Sequence, residues 1–138
     1  MAAMIEYNYV TDFKLDLARE MKISQWISGV ILDEGFTEGE ICYIFCDDLF
    51  LHKLNMEFLK HDTYTDILSF DYCLGKQVNG EIYISVERVK ENSLIFKTSF
   101  VEELHRVMIH GILHFCGYKD STEPEREIMR QKESLALL

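Results

Sequence analysis

Residues 99–117 read SFVEELHRVMIHGILHFCG, and this stretch decides the fold. Ser99 and Glu102 are spaced as an S-x-x-E capping box, which opens a helix. Gly117 supplies the stop. Between them the second half of the helix is apolar nearly all round, with Val107, Met108, Ile109, Ile112 and Leu113. A helix with no polar face belongs in the middle of a structure, covered on several sides.

The flanking sequence supplies the cover. MIEYNYV at 4–10 alternates as a strand, EICYIFC at 40–46 reads as a buried one, and DILSFDY at 66–72 and Glu81–Ser85 as two more. Gly75–Gly80 is the expected loop between the last two. Ile23, Trp26, Ile27, Val30 and Ile31 form one stripe of an amphipathic helix that Gly35 ends. Residues 11–20 are ambiguous. Asp47 or Asp48 caps a second helix, whose expected inner stripe is Phe50, Leu54 and Phe58. Ser85 caps a helix to about Phe96, and a last helix follows Pro124. The order β, α, β, α, β, β and three helices has no repeated βαβ unit. It predicts an α+β fold: a four-stranded mixed sheet with helices packed on it and residues 99–115 as the central buried helix.

The chain has 138 residues, 48% hydrophobic and 28% charged, which suits one globular domain over 1–138 and excludes a disordered chain. The net charge is −10, which argues against a broad nucleic-acid binder. The acid is unevenly spread. Residues 1–48 carry 3 basic and 10 acidic side chains, whereas 49–119 carry 8 and 9, so a local positive surface is compatible with the remainder. No apolar run is long enough to span a membrane. The N-terminus lacks the pattern of a signal peptide. Cys42 and Cys46 lie about 13 Å apart along a strand, too far for a disulfide, which needs Cα atoms within about 7 Å. The cysteines read as reduced, and the expected location is the cytoplasm.

Chemistry enters with His110 and His114. Four residues apart on a helix, they share one face, and buried imidazoles need partners. One metal ion satisfies both, and zinc accepts this geometry. Gly117 turns the chain back and brings Asp120 within reach as a third ligand, in the H-x-x-x-H-x-x-G-x-x spacing of metzincin-type sites. The alternative is a pair of core histidines bonded to carbonyls. Metallopeptidases place a glutamate general base directly after the first histidine; here that residue is Gly111, which counts against proteolysis.

HGILHFCGYKD at 110–120 resembles the H-G-x-L-H-L-x-G-Y-D-H signature of the YbeY endoribonucleases. LNMEFLKHDTYTDILSF at 54–70 resembles the same family's L-N-x-x-Y-R-x-K-D-x-x-T-D-V-L-S-F block, and Gly80-Glu81-Ile82 its G-D-I strand start. The resemblance runs from about residue 54 to 120. It implies an α+β fold, one zinc ion, cleavage of single-stranded RNA, and a role in 3′-end maturation of small-subunit rRNA and ribosome quality control. The family's first two ligands fall on His110 and His114. The third is usually histidine, and Asp120 stands there. The arginine of the upstream block is Leu59.

Both departures have consequences. Two imidazoles and a carboxylate leave a dication site at about +1, so the ion is a weaker Lewis acid. They also match the facial triad that suits iron(II), so Fe²⁺ or another divalent ion stays open beside zinc. Leu59 cannot clamp a phosphate as arginine does. Expected phosphate contacts are Lys60, His61, Arg106 and Lys119, with a salt bridge to Glu102 or Glu103 as the other role for Arg106. His52 and His105 read as non-ligands. The expected chemistry is metal-assisted phosphodiester cleavage by metal-activated water. Asp66 is the candidate base, and Thr65 and Ser69 are candidates to support a ligand. The expected partners are single-stranded RNA and the ribosomal small subunit or its assembly factors. Two other readings remain: an assembly factor with a structural metal, and a small metallohydrolase of another substrate class.

Overall fold

The computed structural model describes residues 5–60 and 65–137. Four strands and five helices follow in the expected order. The strands are β1 (Ile5–Tyr9), β2 (Thr37–Cys46), β3 (Ile67–Asp71) and β4 (Gln77–Ser85). The helices are α1 (Leu17–Asp33), α2 (Asp48–Leu59), α3 (Val86–Phe96), α4 (Phe100–Phe115) and α5 (Glu123–Ala136).

The sheet runs in the order β1-β2-β4-β3. β1 and β4 flank β2 in parallel, and β3 is antiparallel to β4. The sheet is therefore mixed, and the α+β expectation holds. Alternation along the strands sorts the two faces. Ile41, Tyr43 and Phe45 of β2, with Val78, Ile82 and Ile84 of β4, join one large core built with α1, α3, α4 and α5. A smaller cluster of Cys46, Leu51 and Leu68, with Leu54, Phe70 and Tyr83 around it, lies where α2 covers the other face. α4 is the central helix: Val107, Met108, Ile109, Ile112 and Leu113 are all buried. The buried Tyr43 hydroxyl donates to its Met108 carbonyl at 2.9 Å.

Several boundaries differ from the sequence expectation. α1 begins at Leu17, capped by Asp16, which accepts from the Arg19 amide at 2.8 Å. Its first turn falls in the ambiguous stretch because Leu17 and Met21 stay exposed and leave no apolar stripe. β4 begins at Gln77, so the second half of the expected loop is strand; Val78 and Gly80 are buried there and pair with β2. β2 likewise begins at Thr37. α2 starts after Asp47, but its buried residues are Leu51 and Asn55. Phe50 and Phe58 turn outward enough to contact the Tyr83 and Phe70 rings at the margin. α5 does not follow Pro124 but contains it: Thr122 is the cap, and a reciprocal box with Glu125 closes the first turn.

All four cysteines are free. Burial pushes the Cys46 thiol up to about 12 and the Cys73 thiol to about 11. Among the described residues no helix is long and apolar enough to cross a membrane.

Candidate metal centre

The site grows out of the end of α4. Ser99 caps the helix start, accepting from the Glu102 amide at 3.1 Å. At the other end Gly117 adopts φ +99°, and the Tyr118 amide reaches back to the Leu113 carbonyl at 3.0 Å. That turn needs a residue without Cβ. It carries the chain back along the helix and sets Asp120 against the two histidines.

His110 and His114 stand edge to face, with ring centroids 4.6 Å apart. The Nε2 atoms of both lie 3.2 Å from Oδ2 of Asp120. One ligand atom from each of the three residues falls within 4.8 Å of the others. Donor atoms held about 2.0–2.1 Å from a tetrahedral ion are ~3.4 Å apart. The two 3.2 Å separations to Asp120 come within a few tenths of an ångström of that, and the histidine pair falls within the 4.8 Å limit, so these residues could hold one small divalent cation. The same separations serve hydrogen bonds if each ring carries a proton on Nε2. Among the described residues no other group of histidine, cysteine or acid has this convergence.

Exposure is graded across the site. The side chains of His110, His114 and Asp120 are 17%, 31% and 41% exposed. The centre is therefore anchored in the core at His110 and open to incoming molecules beside Asp120.

Sequence reasoning missed the residue behind His110. Oε2 of Glu133, from α5, lies 2.5 Å from His110 Nδ1, and Glu133 is buried. Burial alone would lower the His110 pKa; the Glu133 contact, with the charges of Asp120 and Asp66, outweighs it and raises the pKa. The available signal is faint: Met129 and Glu133 are the buried residues of α5, so a carboxylate occupies the position where an amphipathic stripe wants an apolar group.

Arg106 lies one turn before His110 and is held by acids. Its Nη1 donates to Glu133 Oε1 at 3.3 Å, and its Nε to Glu103 Oε1 at 3.0 Å. The salt bridge anticipated for it forms with Glu103, joined by Glu133. Asp66 Oδ2 is 4.0 Å from Arg106 Nη2 and 3.4 Å from Asn92 Nδ2. Burial raises the Asp66 pKa, and the charges of Arg106 and His110 work against that rise. Lys119 is exposed next to Asp120, and Lys60 is exposed in a left-handed conformation at the end of α2. His61 lies outside the described residues. The Thr65 hydroxyl donates to the Ile67 carbonyl at 3.3 Å. His105 packs on Trp26.

Residues 7–138 match the protein family described as Endoribonuclease YbeY. The chain belongs to that family. A relative named Endoribonuclease YbeY from Flavobacterium johnsoniae is 55% identical over 94% of this chain and 92% of its own length. One of the same name from Christiangramia forsetii is 56% identical over 93% and 90%. The solution structure of TM1509 from Thermotoga maritima matches with a TM-score of 0.68 at 26% identity, covering 97% of this chain and 87% of that one. The expected YbeY resemblance thus extends well beyond residues 54–120, to nearly the whole chain.

Proposed function

We propose that this chain is a metal-dependent endoribonuclease that cuts single-stranded RNA as one domain, holding one zinc ion on His110, His114 and Asp120. The observation that carries the reading is the convergence of two imidazole nitrogens and a carboxylate oxygen within 4.8 Å in a chain of an endoribonuclease family. Zinc bound there would supply Lewis-acid chemistry toward a phosphodiester. Two imidazoles and one carboxylate also suit iron(II).

The chain's own residues supply the rest. Glu133 orients His110, and Asp120 closes the ligand set on the open side. Exposed Lys119 and Lys60, with His61, neutralise phosphates of an approaching strand. Arg106 keeps its side chain 32% exposed, but its three nitrogens face Glu103, Glu133 and Asp66, so a phosphate contact there requires one of these pairs to open. Asp66 is the candidate proton acceptor, since burial raises its pKa. Substrate and setting follow the family: small-subunit rRNA 3′ ends and ribosome quality control, with the small subunit and its assembly factors as partners in the cytoplasm.

The test combines metal content by mass spectrometry with cleavage of a single-stranded rRNA fragment, on wild type, His114→Ala and Asp120→Ala. Stoichiometric zinc and cleavage in the wild type, both lost in the two variants, are expected. Cleavage by metal-free His114→Ala protein would sink the reading. Stoichiometric zinc without cleavage would favour an assembly factor with a structural metal, a reading that the exposed apolar Leu59 supports.

A further inference from the structure

Two buried carboxylates share one guanidinium beside the metal centre. Glu103 and Glu133 are 2% and 3% exposed. Arg106 faces Glu103 with Nε and Nη2 and reaches Glu133 with Nη1. One positive charge cannot balance two negative ones, and a buried carboxylate oxygen left without a donor is strongly unfavourable. The donor that completes the set is on the other side of Glu133. Its Oε1 faces Arg106, and its Oε2 faces His110 Nδ1 at 2.5 Å.

That geometry dictates a tautomer. A neutral imidazole carries one proton, and the Glu133 oxygen needs it on Nδ1. The lone pair is then on Nε2, the atom that points toward Asp120 and is shared in the ligand group with His114. Among the described residues no buried carboxylate faces the second ring nitrogen of His114 in this way. The support is therefore specific to His110, the more buried of the two rings.

We propose that Glu133 is a positioning residue for the metal, holding the proton on His110 Nδ1 so that Nε2 is presented to the ion. Arg106, forked onto Glu103, fixes the orientation of Glu133. The inference rests on His110, His114 and Asp120 being the ligands. It places a residue that the metal site needs on α5, 23 residues along the chain from His110. Acids that orient a ligating histidine typically contribute 10–100-fold in metal affinity.

The test measures the zinc dissociation constant by competition with a chromophoric chelator, in wild type, Glu133→Gln, Glu133→Asp and Met129→Ala. The His110 Nδ1–H proton resonance is followed in the zinc-loaded proteins. Glu133→Gln keeps the size of the side chain. Glu133→Asp keeps the charge near Arg106 but withdraws it from the ring, and serves where the Gln variant folds poorly. Met129→Ala loosens the same helix at another buried position. Expected are a 10–100-fold loss of affinity and an upfield move of the proton resonance in both Glu133 variants, with Met129→Ala within threefold of wild type. Wild-type affinity in both Glu133 variants overturns the proposal. So does a loss in Met129→Ala as large as theirs, which would assign Glu133 to helix docking alone. A wild type that binds no zinc would instead remove the ligand assignment itself.

Discussion

Gly80 lies under the ring of Phe115: a Cβ at position 80 would fall 2.5 Å from Phe115 Cζ and 2.6 Å from the Phe70 carbonyl oxygen. Phe115 is the last residue of α4 and the neighbour of His114. The bare backbone of β4 therefore lets the sheet close on the end of the helix that carries the histidines. Gly80→Ala forces an atom against a carbonyl that cannot rotate away, and the expected loss is about 1–3 kcal/mol. Denaturant unfolding of the metal-free protein measures it. A variant as stable as wild type would mean that β4 and α4 can separate freely.

Gly111 takes the position where metallopeptidases carry a glutamate, and it faces the sheet. A Cβ there would lie 2.9 Å from Ile82 Cδ1 and 3.1 Å from Ile67 Cδ1. Gly111→Glu would press a carboxylate among apolar side chains, with an expected destabilisation of at least ~3 kcal/mol and no gain of peptidase activity on a substrate panel. Gly111→Ala is expected to be far milder. The ends of two isoleucines can rotate, and alanine favours the helix by about 1 kcal/mol. Thermal melting of the two variants gives the comparison, and equal losses would show that the space is tighter than these side-chain ends imply.

Lys119 is exposed beside Asp120. If it contacts one phosphate of a single strand, Lys119→Ala lowers the slope of log affinity against log salt by about 0.7. Fluorescence anisotropy with a single-stranded RNA oligonucleotide at several salt concentrations reads this directly. An unchanged slope would take Lys119 out of the binding surface.

His105 is pushed below the ordinary histidine pKa, first by burial and then by the charge of Arg19. The unfolded chain therefore binds this proton more readily than the folded one. The contribution to stability is complete above the unfolded value of about 6.5 and declines as pH falls toward the lower folded value. The stability of wild type relative to His105→Phe should fall as pH drops below about 6.5, with a slope of at most about 1.4 kcal/mol per pH unit. An NMR titration placing the His105 midpoint at or above 6.5 would contradict this.

α4 is legible in the sequence because its signals are local: Ser99 at one end, Gly117 at the other, and an apolar run between them. His110, His114 and Asp120 are legible for the same reason, since all three are set by one helix and one turn. What the sequence hides depends on partners distant along the chain. Val78 to Gly80 look like loop until β2 pairs with them and Phe115 covers Gly80. The inner face of α2 is set by how it lies on the sheet, which turns Leu51 and Asn55 inward and leaves Phe50 and Phe58 at the margin. Glu133 reads as one more surface acid on a charged helix until α5 docks and carries it to His110 and Arg106.

The order of elements is also an order in time. Every strand of the sheet precedes residue 86, whereas His110, His114, Asp120 and Glu133 all follow residue 109. Synthesis therefore delivers the scaffold first and the candidate metal centre last. A growing chain that has not yet been translated past Glu133 lacks the carboxylate that faces His110 Nδ1 in the finished fold. On the proposed ligand set, the centre is complete only once α5 has been made and has docked on α4.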